Sequence, residues 1–191
     1  MTSVLKVDNI QNSSGTQAIN IHSSGLIIPS AGGIIQTQYT QFTGTAYVTT
    51  NANVDVALSD LTVNITPTST SSKLKVEVDM GWEGTESDHN YIFFLYRDST
   101  ALKAPTSGSR TVGIRLAAQG YHADDASSTP TTISYKYYDE PNTTSQVTYK
   151  VGVRKHSSGT GSIAINRSNT DSDASGFERT ISSITVTEIA G

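Results

Sequence analysis

The sequence predicts an all-β protein, with an extended N-terminal β arm followed by a β-sandwich or jelly-roll module. Three observations lead there. Ser and Thr together number 53 of the 191 residues, against two Met, a bias that favours strands and turns over helices. Apolar and polar residues alternate at period two along several runs, the repeat of a strand with one buried face. No long stretch carries a helical repeat, and Gly, Pro, Asn and Asp punctuate the chain at short intervals.

Taking the elements in order, residues 1–36 contain no Phe, Tyr or Trp and only two charged side chains, Lys6 and Asp8. Apolar residues are nonetheless present at Val4, Leu5, Val7, Ile10, Ile19, Ile21, Ile27 and Ile28. Gly-containing turn signals at Ser13-Ser14-Gly15, Ser23-Ser24-Gly25 and Ala31-Gly32-Gly33 separate them into short strands. A segment this short cannot enclose a core of its own, yet it is too apolar for a disordered tail. It is expected to be an attachment and trimerisation arm over 1–36, ahead of a sandwich domain over 37–191.

Within that domain, Lys73-Leu74-Lys75-Val76-Glu77-Val78-Asp79-Met80 alternates throughout, placing Leu74, Val76, Val78 and Met80 on one face. Similar patterns mark Val54-Val56-Leu58, Leu61-Val63-Ile65, Val112-Ile114-Leu116, Ile133-Tyr135-Tyr137, Tyr149-Val151-Val153, Ile163-Ile165 and Ile184-Val186. The run Tyr91-Ile92-Phe93-Phe94-Leu95-Tyr96 is apolar on both faces, which fits a central strand covered twice or one whose outer face meets another subunit. Turn signals such as Asp98-Ser99-Thr100 and Glu140-Pro141-Asn142 separate the runs, giving eight or nine expected strands. Two polar connections, 119–130 and 166–179, are expected as external loops.

Composition narrows the function. The net charge of −4 leaves no basic patch for nucleic acid. Without Cys, disulfides and thiolate metal sites are excluded. The N-terminus has no basic stretch followed by an apolar run, and no apolar run reaches a membrane-spanning length of ~18 residues. Membrane insertion is not expected, and synthesis is expected in the cytoplasm. The four His, at 22, 89, 122 and 156, show no metal-ligand spacing, and no phosphate loop, dinucleotide-binding glycine pattern or nucleophile elbow is present. No cofactor, metal or catalytic residue is therefore expected.

Two clusters carry candidate recognition chemistry. Asp79 to His89 holds the richest run of carboxylates and the chain's single Trp; Trp82 could stack on a sugar ring while Glu83 or Asp88 accepts from its hydroxyls. The competing reading makes Trp82 a core residue and the carboxylates a solvated hairpin. Tyr121-His122-Ala123-Asp124-Asp125 combines aromatic, imidazole and carboxylate groups in an expected loop, suited to a polar ligand or to nothing more than solvent.

The opening Leu5-Lys6-Val7-Asp8-Asn9-Ile10-Gln11, with Ser14-Gly15-Thr16 and Ser24-Gly25-Leu26-Ile27-Ile28-Pro29, resembles the N-termini of short structural and fibre proteins of tailed bacteriophages, notably marine and cyanobacterial ones. Ile65 to Leu74, Tyr138-Asp139-Glu140-Pro141, Val147 to Val151 and the terminal Ile184 to Gly191 are similar to the tail-fibre-like domain that follows that arm. The resemblance spans nearly the whole chain. It implies a non-enzymatic tail-fibre component of the virion, held to other phage proteins by its arm, homotrimeric, and contacting a host surface polysaccharide or receptor multivalently through Trp82, Glu83, Asp88, Tyr121, His122, Asp124 and Asp125. The arm follows Met1 directly, so no shaft is expected before it. The alternative is a capsid or neck decoration without receptor specificity.

The alternation makes a direct prediction. Leu74→Asp should lower the melting temperature far more than Lys75→Asp, because an unpaired carboxylate on the inward face costs several kcal/mol (about 2–7). Equal melting of the two variants would reverse the assigned register.

Overall fold

A computed structural model describes residues 7–21, 23, 25, 27–29, 32–84, 90–118, 128–156 and 160–191. Among these no helix forms, and the chain is all-β as its composition requires.

The first three strands, β1 (Asn9–Gln11), β2 (Gln17–Ile21) and β3 (Ile27–Pro29), make an antiparallel meander. Its turns depend on left-handed backbone at Gly15 (φ 80°) and Gly25 (φ 82°), where a side chain would be strained. Asn12 Oδ1 closes the first turn by accepting from the amides of Ser14 (3.0 Å) and Thr16 (2.9 Å).

The remaining strands are β4 (Ile34–Phe42), β5 (Ala46–Asn51), β6 (Asp55–Ile65), β7 (Lys73–Gly84), β8 (Asn90–Arg97), β9 (Thr100–Leu102), β10 (Arg115–Ala118), β11 (Thr131–Asp139), β12 (Val147–His156), β13 (Thr160–Ile165) and β14 (Ser182–Ile189). They form two antiparallel sheets. In the first, β11 lies along one edge of β7; along the other edge, β14 pairs residues 73–79 and β13 pairs residues 82–84. β4 flanks β14, and β5 flanks β13. In the second sheet the order is β6, β12, β8, with β9 and β10 sharing the far edge of β8. Counting β4/β5, β9/β10 and β13/β14 each as one broken strand gives sheets ordered 1-8-3-6 and 2-7-4-5, the order of a jelly roll.

Both inner faces share one core. Leu74, Val76, Val78 and Met80 of β7, with Ile133 and Tyr135 of β11 and Ile184 and Val186 of β14, face Tyr91, Phe93 and Leu95 of β8 and Tyr149, Val151 and Val153 of β12. The alternation of β7 is thus realised side chain by side chain. β8 is covered on both sides by its own chain, since Ile92 and Phe94 on its outer face are also buried. Its double apolarity therefore gives no reason to place a second subunit there.

The sequence differs from the structure in three places. The runs at 54–58 and 61–65 are one strand, β6, interrupted by a bulge opposite Lys150 and Val151. Val112 and Ile114 precede the short β10, whose Leu116 is exposed. β4 and β5 carry no apolar alternation in sequence, yet they form one edge of the first sheet. β4 starts at Ile34 and buries Ile35, so the residues before 37 already contribute to the sandwich. Gly32 N–H to Ala190 O (2.8 Å) and Ala190 N–H to Gly33 O (2.9 Å) fix the entry point.

Where the β13/β14 and β4/β5 positions break, Asn166 joins the ends. Its backbone is left-handed (φ 58°), a conformation Asn tolerates better than most residues. Its amide N–H donates to Gly81 O (3.0 Å) and its carbonyl accepts from Thr180 N–H (3.3 Å). Nδ2 donates to Phe42 O (2.8 Å) and Gly44 O (2.9 Å), while Oδ1 accepts from Ser182 (2.5 Å) and Thr180 (3.3 Å) hydroxyls. Every polar atom of this fully buried residue is used.

Asn166→Ala should therefore cost about 2–4 kcal/mol in chemical denaturation, since two carbonyls and two hydroxyls lose a partner. Asn166→Gly keeps the backbone freedom and should be destabilised comparably; wild-type stability in that variant would assign the effect to φ alone.

Candidate functional site

Trp82 and Glu83 are not in a hairpin loop. They continue β7, and both are fully buried. The indole packs edge-on against Tyr91 and Phe93, with ring centroids 5.1 Å away in each case, and presents no face to a sugar. Glu83 Oε1 accepts from the Thr129 amide (3.0 Å) and hydroxyl (3.2 Å), and Oε2 accepts from the Asn169 amide (2.5 Å), so its carboxylate ties two connections to the sheet. Asp88, Tyr121, His122, Asp124 and Asp125 lie outside the described residues, as do Val4 and Leu5.

Two further buried carboxylates act as Glu83 does. Asp139 receives Arg97 Nη1 at 2.9 and 2.8 Å and the Tyr149 hydroxyl at 2.6 Å. Burial, reinforced by that hydrogen bond, holds the Tyr149 phenol well above its ordinary range. Glu188 accepts from Thr68 amide (2.7 Å) and hydroxyl (2.7 Å), Ser72 hydroxyl (2.6 Å) and Gln36 Nε2 (2.6 Å). Burial alone would raise its pKa, but the donors from Ser72, Gln36 and Thr68 together outweigh it and hold the carboxyl below its ordinary value of 4.5.

The outer face of the second sheet is largely self-satisfied. Phe94 lies beneath Lys103, whose Nζ sits 4.1 Å from the ring centroid, and edge-on to Tyr96 at 5.2 Å. Lys103 and Arg154 both pair with Asp55, the latter at 2.6 Å. Gly152 makes room for Phe94, since a Cβ there would stand 2.4 Å from the ring. Beside this cluster, Ile92, Ser109, Arg110, Thr111, Leu116 and His156 line a shallow groove of about 390 Å³.

The first sheet's outer face differs. Four strands place side chains in cross-strand rows: Tyr138, Lys75, Thr187, Thr37; then Lys136, Glu77, Thr185, Tyr39; then Ser134, Asp79, Ser183, Gln41. Tyr39 is 72% and Tyr138 56% exposed, and neither hydroxyl has a hydrogen-bond partner among the described residues. Tyr47, a third exposed tyrosine, is instead held: its hydroxyl donates to Asn169 Oδ1 (3.0 Å) and Arg167 lies over its ring at 5.5 Å. A cavity of about 370 Å³ is lined by Glu77, Val78 and Asp79, by Ser134, Tyr135 and Lys136, and by Ile114 and Arg115 ahead of and within β10. Asp79 accepts from Ser134, and Lys75 pairs with Glu77 at 2.7 Å. The sequence holds a signal for this face: if Ile133, Tyr135 and Tyr137 point inward, Ser134, Lys136 and Tyr138 must point out.

The meander has its own one-sided pattern. Ile10 pairs with Ile19 and Ile19 with Pro29, while Ile21 pairs with Ile27, putting these residues on one face. Ile10 is 47% and Ile27 60% exposed. Ile28 lies in β3. Among the described residues no group of three His, Asp or Glu could hold a metal.

No family model and no curated protein matches the chain. Solved structures overlay on it weakly. A chain of the infectious bursal disease virus Gt strain gives a TM-score of 0.42 at 11% identity, covering 96% of this chain and 47% of that one. The VP2 subviral particle of the same virus gives 0.41 at 9% identity, covering 85% and 43%. The Gx strain gives 0.40 at 12% identity, covering 96% and 44%. The chain spans less than half the length of each.

Glu188 predicts the acid limb of stability. Its folded pKa is depressed below 4.5, so its contribution is complete above the unfolded value and is lost as pH falls through the folded one. Glu188→Gln should unfold at lower denaturant than wild type near neutral pH, and the gap should narrow progressively below about pH 4.5. A gap independent of pH would remove the carboxylate's charge from the account.

Proposed function

We propose that the chain is a non-enzymatic virion component of a tailed phage, a short fibre-like protein. It docks on the particle through its N-terminal residues, assembles as a homotrimer and presents its β module to the host surface. The observation that carries this reading is the meander: one sheet, apolar on one face, with Ile10 and Ile27 of that face left about half exposed or more among the described residues. Two- and three-stranded sheets without a covered face are marginal in water, so the meander needs a partner. The sandwich, by contrast, has its own core and does not need the meander to complete it.

Two further points support the reading. The order of motifs along the sequence resembles phage fibre proteins from the arm to the C-terminus. The jelly-roll strand order is an architecture used by viral capsid and lectin domains, a likeness of architecture and not of site. Trimeric presentation lets weak contacts with a surface polysaccharide add through effective concentration, so affinity per site can stay low. The same strand order favours a second reading, decoration of the capsid or neck, in which the module makes assembly contacts only.

Because β4 begins at Ile34, the informative truncation removes residues 1–30 and leaves the sandwich whole. That truncation should melt as the full module does, appear as a monomer by native mass measurement, and be absent from purified particles, whereas the full chain measures as a trimer and is incorporated. Normal incorporation of the truncated chain would mean that the N-terminal residues are not the anchor. Loss of host adsorption from particles lacking the protein would favour the fibre over the decoration.

A further inference from the structure

The two outer faces of the sandwich are not equivalent. The 103–114 segment returns across the second sheet, where Ala104 N–H donates to Gly113 O (3.2 Å) and Ile114 N–H to Phe93 O (2.9 Å). Over the β11–β7–β14–β4 face no described segment does the same. A solvated sheet face needs only charged and hydroxyl side chains, and Lys75, Glu77, Thr185 and Ser183 meet that need. Two large tyrosines, more than half exposed and without hydroxyl partners, are not explained by folding.

Tyr138 and Tyr39 lie on the first and fourth strands of this face, three strand spacings apart and offset by one row. At about 4.8 Å per spacing and roughly 7 Å per row they are separated by about 16 Å. Between them runs a lane of acceptors and donors: Glu77, Asp79, Thr185, Lys75 and Lys136. The cavity of about 370 Å³ lies at the β11 edge and also reaches inward, since Val78, Tyr135 and Ile114 line it together with Glu77, Asp79, Lys136 and Arg115. Within the lane Glu77 and Asp79 balance Lys75 and Lys136, so an uncharged ligand rich in hydroxyls meets both kinds of partner, while a polyanion would face two carboxylates.

We propose that this face binds a neutral polysaccharide, with Tyr138 and Tyr39 as stacking platforms at either end and the sugar hydroxyls meeting Glu77, Asp79, Lys75 and Lys136 along the lane. The inference rests on the host-contact reading above and names its ligand class and its surface. Aromatic faces present apolar C–H-binding area together with a wet hydroxyl, and a row of two along a polar lane selects an extended chain over a compact ligand.

Affinity electrophoresis of the purified full chain through gels containing mannan, galactan or dextran, with alginate as the polyanionic comparison, tests it. Retardation by at least one neutral polymer is expected, weakened about tenfold by Tyr138→Ala or Lys136→Ala and further by Tyr138→Ala with Tyr39→Ala, as for truncation of an interface anchor. Arg110→Ala, on the opposite face, should leave retardation unchanged, and all variants should melt near wild type. Retardation insensitive to the tyrosine and lysine variants would overturn the assigned face. Retardation by alginate alone would overturn the ligand class. If none of the neutral polymers binds while the labelled protein still adsorbs to host cells, the polysaccharide proposal fails and the host-contact reading stands. If neither polymers nor cells are bound by a protein that is present in particles, both fail in favour of decoration.

Discussion

The amide of Asn166 holds four pieces of chain at one point. β7 is twelve residues long, and no single neighbouring strand matches it; the position beside it is divided between β14 and β13, and the next between β4 and β5. Two breaks side by side would leave a row of unpaired backbone groups in the middle of a sheet, each costing about 1–3 kcal/mol if buried. Asn166 supplies donors to the carbonyls on either side of the β4/β5 break and accepts from the hydroxyls that begin β14. Gly81 meets it from β7, and a Cβ there would stand 1.9 Å from Thr180 Oγ1. A continuous first sheet, and hence an outer face four strands wide, depends on this junction.

That junction also explains which parts of the fold were legible in sequence. Leu74 to Met80 and Ile133 to Tyr137 obey one rule, alternation over a single core, and the structure follows them. Trp82 continues the same inward series after Met80, as its core reading required, but Glu83 on the opposite face is a buried carboxylate where alternation expects a solvated one. Gly81 and Gly84 on either side answer to packing: a Cβ on Gly84 would stand 2.4 Å from the Tyr91 ring. β4 and β5 were hidden for another reason. In β4 the inward Gln36 and Thr40 bond Glu188 and the Thr62 carbonyl, while Phe42 packs against the core; in β5 Ala46 and Val48 pack against it, but the outward Tyr47 between them erases the alternation. Alternation of hydropathy cannot report a strand whose faces mix polar and apolar residues.

Without cysteine, the connections are closed by carboxylates. Glu83, Asp139 and Glu188 each sit at the end of a strand and collect three or four donors from other segments. A buried carboxylate is stabilising only when its lone pairs are filled, because burial without donors costs far more than any bond returns. Each is therefore a specific device: it positions one loop and penalises alternatives. This places acidic residues, which a sequence reading assigns to solvent or to a ligand, in roles that neither requires.

The exposed apolar residues sort by chemistry along the molecule. Ile10, Ile27 and Ile34 belong to the meander and its entry into β4, Val54, Leu116 and Ile181 to connections and an edge strand of the module, while the large exposed residues on the open face are Tyr39 and Tyr138. Isoleucine has no polar atom, so its exposed surface is relieved only by lasting burial, the character of permanent interfaces. Tyrosine keeps one end wet and loses little by being free, the character of contacts that form and release. Aliphatic exposure is thus divided between the meander and the margins of the module, whereas the open sheet exposes tyrosine, whose contacts can form and release without stranding wholly apolar surface in water.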